Sequence, residues 1–124
     1  MTVPGRRPQR LGEQIREEIS GLLLTELKDP RIGFTTITGV RVTPDLRQAR
    51  VSVSVLGTAD EQQRSLEGLR TAAAFIRRTL AHRLEVRRIP ELEFTLDRTE
   101  ERAARIDELL RQVKPADAGP EEKG

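Results

Sequence analysis

Apolar residues recur at steps of three and four at Leu11, Ile15, Ile19, Leu22, Leu23 and Leu27. That spacing predicts a helix from about Gln9 to Leu27 with one core-facing stripe. Glu13, Arg16, Glu17 and Glu18 fall on its other face. Gly21 weakens the helix slightly and permits close packing. The run KDPRIG, Lys28 to Gly33, reads as a loop, because Pro30 cannot continue a helix and Gly33 permits a turn. Phe34 to Val42 is rich in β-branched residues and predicts a strand. Its apolar alternation changes phase between Ile37 and Val40, across Gly39, which calls for a bulge. Thr43, Pro44 and Asp45 mark a turn. Ala49, Val51, Val53 and Val55 then alternate with Arg50, Ser52 and Ser54, the cleanest strand pattern in the chain. The short connection predicts an antiparallel hairpin.

Gly57 ends the second strand. Thr58 or Asp60 can cap the next helix, with Asp60 and Glu61 near its positive end. Leu66, Leu69, Ala73, Ile76, Leu80 and Leu84 share one face. At roughly 25 residues this helix is long for so small a domain, so an interruption within it is expected. Arg77, Arg78 and Arg83 fall away from the stripe, and Arg87 and Arg88 lie just beyond it. Pro90 stops the stretch and biases Ile89 towards extended geometry. Leu92, Phe94 and Leu96 alternate with polar residues, giving a third strand from Glu91 to Asp97. Thr99 caps a last helix with Glu100 and Glu101 in its first turn. Ala103, Ile106, Leu109, Leu110 and Val113 form its apolar face. The order is helix, strand, strand, long helix, strand, helix: an α+β arrangement with helices covering one face of a small sheet. Passing from second to third strand through a helix permits a parallel pair, so the sheet is expected to be mixed.

Composition narrows the chemistry. At 124 residues the chain is expected to be one domain, with a mobile basic arm at 1–7, a folded domain at 8–113 and a disordered tail at 114–124. There is no cysteine, which excludes disulfides and thiolate metal sites. No apolar run approaches the ~18 residues of a membrane span, and no signal-peptide core is visible, so a cytoplasmic location is expected. His82 is the only histidine and has no nearby carboxylate to orient it; a solvent-facing helix position is its default. Glu17/Glu18, Glu100/Glu101 and Asp107/Glu108 are adjacent on helices and point about 100° apart, so they do not converge on a metal or a sugar. There is no P-loop, no Gly-rich nucleotide fingerprint and no nucleophile elbow around Ser20, Ser52, Ser54 or Ser65. The pattern argues for binding, not catalysis. The strongest candidates are cations that could track a phosphate backbone: Arg77, Arg78, Arg83, Arg87 and Arg88, with Arg7 and Arg10 at the N-terminus. Solvated charge is the plain alternative. No exposed aromatic is expected to stack bases, which favours recognition of shape and backbone.

Several runs resemble the ribosome-binding factor A family, in its order and spacing: RPQR (Arg7 to Arg10), KDPRIG, ITGVRVTPDLRQARVSV (Ile37 to Val53), FIRR (Phe75 to Arg78) and RRIPELEF (Arg87 to Phe94). The resemblance covers about residues 7–113. It implies a KH-like domain of the second topological type, in which the nucleic-acid-clamping GXXG loop is replaced by a kink at an Ala-x-Gly motif. Here the matching positions are Ala72, Ala73 and Ala74. The missing glycine favours a continuous helix by up to ~1 kcal/mol; a bend or local unwinding is nonetheless expected within about two residues of Ala73, with Phe75 packed inward. The resemblance also implies a non-catalytic factor without a cofactor, acting as a monomer. It would bind the free small ribosomal subunit and its rRNA, assist late maturation including processing of the rRNA 5′ end, and leave with help from an assembly GTPase. From the family, Ala72 to Ala74 and Phe75 to Arg78 carry over as site residues. An RNA-processing enzyme and a protein-interaction module are the two other classes.

Overall fold

The structure is a computed structural model that describes residues 6–27 and 29–118, with side chains at 7–27 and 29–113. The element order is α1 (Arg6–Thr25), β1 (Thr35–Val42), β2 (Gln48–Val55), α2 (Ala59–Thr71), α3 (Ala73–Leu84), β3 (Glu91–Leu96) and α4 (Thr99–Ala118). The sheet order is β1-β2-β3, antiparallel between β1 and β2 and parallel between β2 and β3. The fold is the KH-like α+β arrangement of the second type, with a mixed sheet and a further C-terminal helix.

The bulge follows from the apolar pattern. Ile37 pairs with Val53 and Val40 with Val51, with the register shift between Ile37 and Gly39. Three steps on β1 thus match two on β2, and one extra residue keeps every apolar side chain on the inner face. That residue, Thr38, donates its hydroxyl to the Ser52 carbonyl at 3.1 Å. On β2 the alternation is perfect: Ala49, Val51, Val53 and Val55 are buried. Helices cover this face. Ile15, Ile19 and Leu22 of α1, Leu66 and Leu69 of α2, and Ile76 and Leu80 of α3 close over Phe94, all in one core.

α1 lies against β1, which it reaches through Gly12 rather than Gly21. A Cβ on Gly12 would stand 2.8 Å from the Val40 carbonyl oxygen, whereas Gly21 has nothing within 4 Å. Gly68 plays the same part on α2, where a Cβ would meet Ile32 Cγ1 at 2.8 Å. The buried Ser65 ties that loop down: it accepts the Gly33 amide at 2.9 Å and donates to the Arg31 carbonyl at 3.2 Å. α2 opens on a capping box, with Thr58 and Glu61 exchanging side-chain and backbone bonds.

Three expectations at the helix ends need correction. α1 begins at Arg6, so Arg6 and Arg7 are helical and only 1–5 of the expected arm lie outside the described residues. Pro8 is accepted in the first turn, where its missing N–H would have had no helical partner. α4 is not capped by Thr99; the Asp97 carboxylate accepts both the Thr99 amide, at 2.9 Å, and its hydroxyl, at 2.6 Å. The backbone of α4 continues to Ala118, past the expected tail start at Lys114. Residues 119–124 of that tail, like Lys28 of the KDPRIG loop, lie outside the described residues.

Candidate nucleic-acid interface

The long helix is divided at Ala72, whose φ of −83° and ψ of 0° depart from helical values. Hydrogen bonding continues across the break: the Ala72 amide reaches the Gly68 carbonyl at 3.0 Å, and its own carbonyl accepts from Ile76 at 2.9 Å. These two bonds span the break, but the regular helical ladder is interrupted at Ala72, so α2 and α3 are separate helices joined at a bend. Its cause is packing. α2 lies mainly against β3 and α3 against α1, and a straight rod of buried Leu66, Leu69, Ile76 and Leu80 could not cover both. Phe75 does not fix the bend from inside; it is 38% exposed, and Ile76, one position round, fills the core. Ala72 and Ala73 are half-buried, and Ala74 is exposed.

The topology collects distant arginines at one end of the domain. α1 begins beside Val40 and Val42, so Arg7 and Arg10 lie towards the β1–β2 turn. The Glu91 amide donates to the Arg47 carbonyl at 2.9 Å, which sets the start of β3, and Arg87 and Arg88 just before it, next to the same turn. α2 runs back towards that end, and Arg70 near its close donates to the Phe94 carbonyl at 3.3 Å, covering part of the free edge of β3. Arg7, Arg10, Arg87 and Arg88 are exposed there, as are Arg41 and Arg47, and Arg78 is exposed on α3. Arg41 and Arg47 belong to the group but escape sequence reading, because only the pairing of Gln48 with Glu91 brings the turn to the start of β3. Glu91 is exposed in the same region. Asp45 is also there; its carboxylate is held below the usual range by the Thr43 hydroxyl, then by the Arg47 amide.

Two of the expected phosphate ligands are committed elsewhere. Arg77 does not fall away from the core. Its Nη2 donates to the Ile89 carbonyl at 2.9 Å, and its Nε is buried without a partner. Arg83 bridges Glu18 of α1 and Glu26 just beyond its end, with its side chain 36% exposed. Arg77 turns from solvent because the α3–β3 connection closes over its side of α3, whereas Arg83 remains exposed although it is paired. Arg31 is likewise engaged, in a forked contact with Asp29 at 2.8 Å. His82 is exposed.

The opposite end is apolar. Leu24 is 86% exposed, Phe34 83% and Leu56 78%, with a groove of about 420 Å³ along Leu23, Leu24, Leu27, Ile32 and Phe34. The expectation that no aromatic is exposed fails at Phe34. The residue precedes β1, and no helix covers that corner.

Residues 7–110 match the family model described as Ribosome-binding factor A. The chain is similar to the ribosome-binding factor A of Thermomicrobium roseum, with 48% identity over 112 residues, 90% of this chain and 87% of that one. It is also similar to the crystal structure of ribosome-binding factor A from Thermus thermophilus, at 27% identity and a TM-score of 0.63, covering 72% of this chain and 94% of that one. A homology model of the Thermus thermophilus factor, fitted into the cryo-EM map of a 30S–RbfA complex, matches at 27% identity and a TM-score of 0.61 over 73% of this chain and 96% of that one. A family match over most of the chain, on the fold that its apolar pattern demands, makes this chain a member of the ribosome-binding factor A family.

Proposed function

We propose that this chain binds the free small ribosomal subunit through its 16S rRNA and assists late maturation, including processing of the rRNA 5′ end, without catalysing it. The observation that carries the reading is the gathering of exposed Arg7, Arg10, Arg41, Arg47, Arg87 and Arg88 at one end, with Arg78 exposed on α3, in a domain whose relative has been fitted into a 30S complex. Arginine forks suit phosphate oxygens, and a group of them at one end supplies the counterion-releasing contacts that dominate nucleic-acid affinity. Ala72 to Ala74 contribute shape: small side chains at the bend let backbone approach a rigid RNA surface. Release is assigned to an assembly GTPase, and the working location to the cytoplasm. The apolar corner of Leu24, Phe34 and Leu56 favours a second reading, a contact with a protein of the subunit.

The test is binding of the purified chain to precursor small subunits across a salt titration. Changing Arg78, Arg87 and Arg88 together to Glu should weaken binding and flatten the slope of log K against log salt by at least about 2–3 units. An unchanged slope rejects the electrostatic interface. Cleavage of precursor rRNA by the chain alone would reject the non-catalytic assignment.

A further inference from the structure

Between Glu85 and Pro90 the chain must turn from α3 into β3 while presenting Arg87 and Arg88 to solvent. Little of its own backbone holds it. Glu85 stands in the left-handed region at φ 55°, closing α3. The Val86 amide reaches back to the Ala81 carbonyl at 3.2 Å. At the far side, Ile89 and Pro90 are buried and the Glu91 amide joins Arg47. Among the described residues, the one side-chain bond into this connection comes from Arg77, whose Nη2 meets the Ile89 carbonyl at 2.9 Å.

We infer that Arg77 is a positioning residue for the RNA-binding surface: it holds the α3–β3 connection so that Arg87 and Arg88 stand ready for phosphate. The inference rests on the proposed reading of those two arginines. A guanidinium is suited to the task, because its planar fork presents a donor in a fixed direction and loses less freedom per bond than an ammonium. The buried Nε has no partner, so the side chain is held at some cost in desolvation, and the Ile89 bond is what that position secures. Arg77 is also the fifth residue after the Ala72 bend, on the second turn of α3. The direction that α3 takes from the bend therefore sets where Arg77 reaches, and through it where the loop lies. The family's kink and the arginine pair become one device: the bend aims α3, Arg77 transmits the aim, and Arg87 and Arg88 present the charge. Ordering these long side chains' backbone before binding lowers the freedom lost on association.

The experiment uses the full chain with Arg77→Met, which keeps the apolar stem and removes the donors, and Arg77→Lys. Hydrogen exchange in the free protein comes first. The amides of Val86 and Glu91, which bond the Ala81 and Arg47 carbonyls on either side of the arginine pair, should exchange faster in Arg77→Met while α1 and β2 amides are unchanged; equal rates overturn the inference, whatever the subunit-binding result. Binding to precursor small subunits across salt comes second. Arg77→Met should lose part of the slope, up to about two units, one for each phosphate contact of Arg87 and Arg88. The same change made on top of Arg87→Ala and Arg88→Ala should then have no further effect. A full additive loss in that background would make Arg77 a direct ligand and overturn positioning. If Arg87→Ala with Arg88→Ala leaves binding intact, the phosphate reading fails, and the exchange arm still decides whether Arg77 holds the connection. Arg77→Lys should fall between the two, since an ammonium can reach the carbonyl without the fork.

Discussion

Gly12 and Gly21 sit on the same helix and answer to opposite forces. At Gly12 an added methyl meets the Val40 carbonyl at 2.8 Å, so Gly12→Ala must push α1 off β1 and should cost about 1–3 kcal/mol in urea unfolding. At Gly21 the space is open, and Gly21→Ala should stabilise by up to about 1 kcal/mol through helix propensity. The neighbours Arg77 and Arg78 divide in the same way. Arg77→Met removes a bond to a buried carbonyl and should cost roughly 1–3 kcal/mol. Arg78→Ala, at an exposed position, should change stability by less than about 0.5 kcal/mol. None of these contrasts is written locally. Sequence pattern places both arginines off the apolar stripe of α3, but which of them faces solvent depends on the α3–β3 connection folding back to within reach of Ile89. The pairing of Arg83 is not written locally either, since its partners Glu18 and Glu26 arrive from α1 and the turn after it. Arg87 and Arg88 stay exposed, as their pattern suggests, because none of the described residues returns to cover them.

Elements read more easily than side chains, because their signals are periodic. The bulge shows as a three-residue step between Ile37 and Val40, and the hairpin and the third strand follow from alternation. That the long helix is interrupted follows from its length, but the place of the bend at Ala72 is legible only through family resemblance, since three alanines favour a straight helix and tertiary packing bends it. Helix starts depend on single carboxylates, and these are sensitive to acid. The Thr58 amide and hydroxyl hold Glu61 below the usual carboxylate range, and the Thr99 hydroxyl and amide do so for Asp97. A lowered folded value means that their support is present above the ordinary range of about 3.9–4.3 and is lost as pH falls through the folded values. The starts of α2 and α4 should therefore loosen in acid, below about pH 4, before core amides do, as amide exchange of Thr58 and Thr99, which donate to the Glu61 and Asp97 carboxylates, can report. Asp97→Asn should remove the acid dependence at Thr99 while leaving that at Thr58. Every side chain of α4 from Thr99 to Val113 is exposed, including Ile106, Leu109, Leu110 and Val113. Ending the chain after Arg102 should accordingly leave the melting temperature of the domain nearly unchanged.

At the scale of the whole molecule, the two ends differ in chemistry, cationic around the β1–β2 turn and apolar around Phe34. The central strand β2 also has two very different neighbours. β1 reaches it through a turn of a few residues, whereas β3 reaches it only after α2 and α3 have been threaded across the sheet. That asymmetry gives the chain a schedule. Closing the hairpin costs little loop entropy, while the parallel pair must wait for a long crossover to order. β1, β2 and the α1 residues against them should form the folding nucleus, and β3 should dock late. A conservative truncation in the hairpin, Ile37→Val, should then slow refolding in proportion to the stability it removes. Phe94→Leu in β3 should leave refolding almost untouched and instead speed unfolding, a difference that stopped-flow chevrons resolve directly. Until β3 arrives, the Ile89 carbonyl has no fixed place. The surface carrying Arg87 and Arg88 is then the last part of the protein to be completed and, by the same ordering, the first to be lost when it opens.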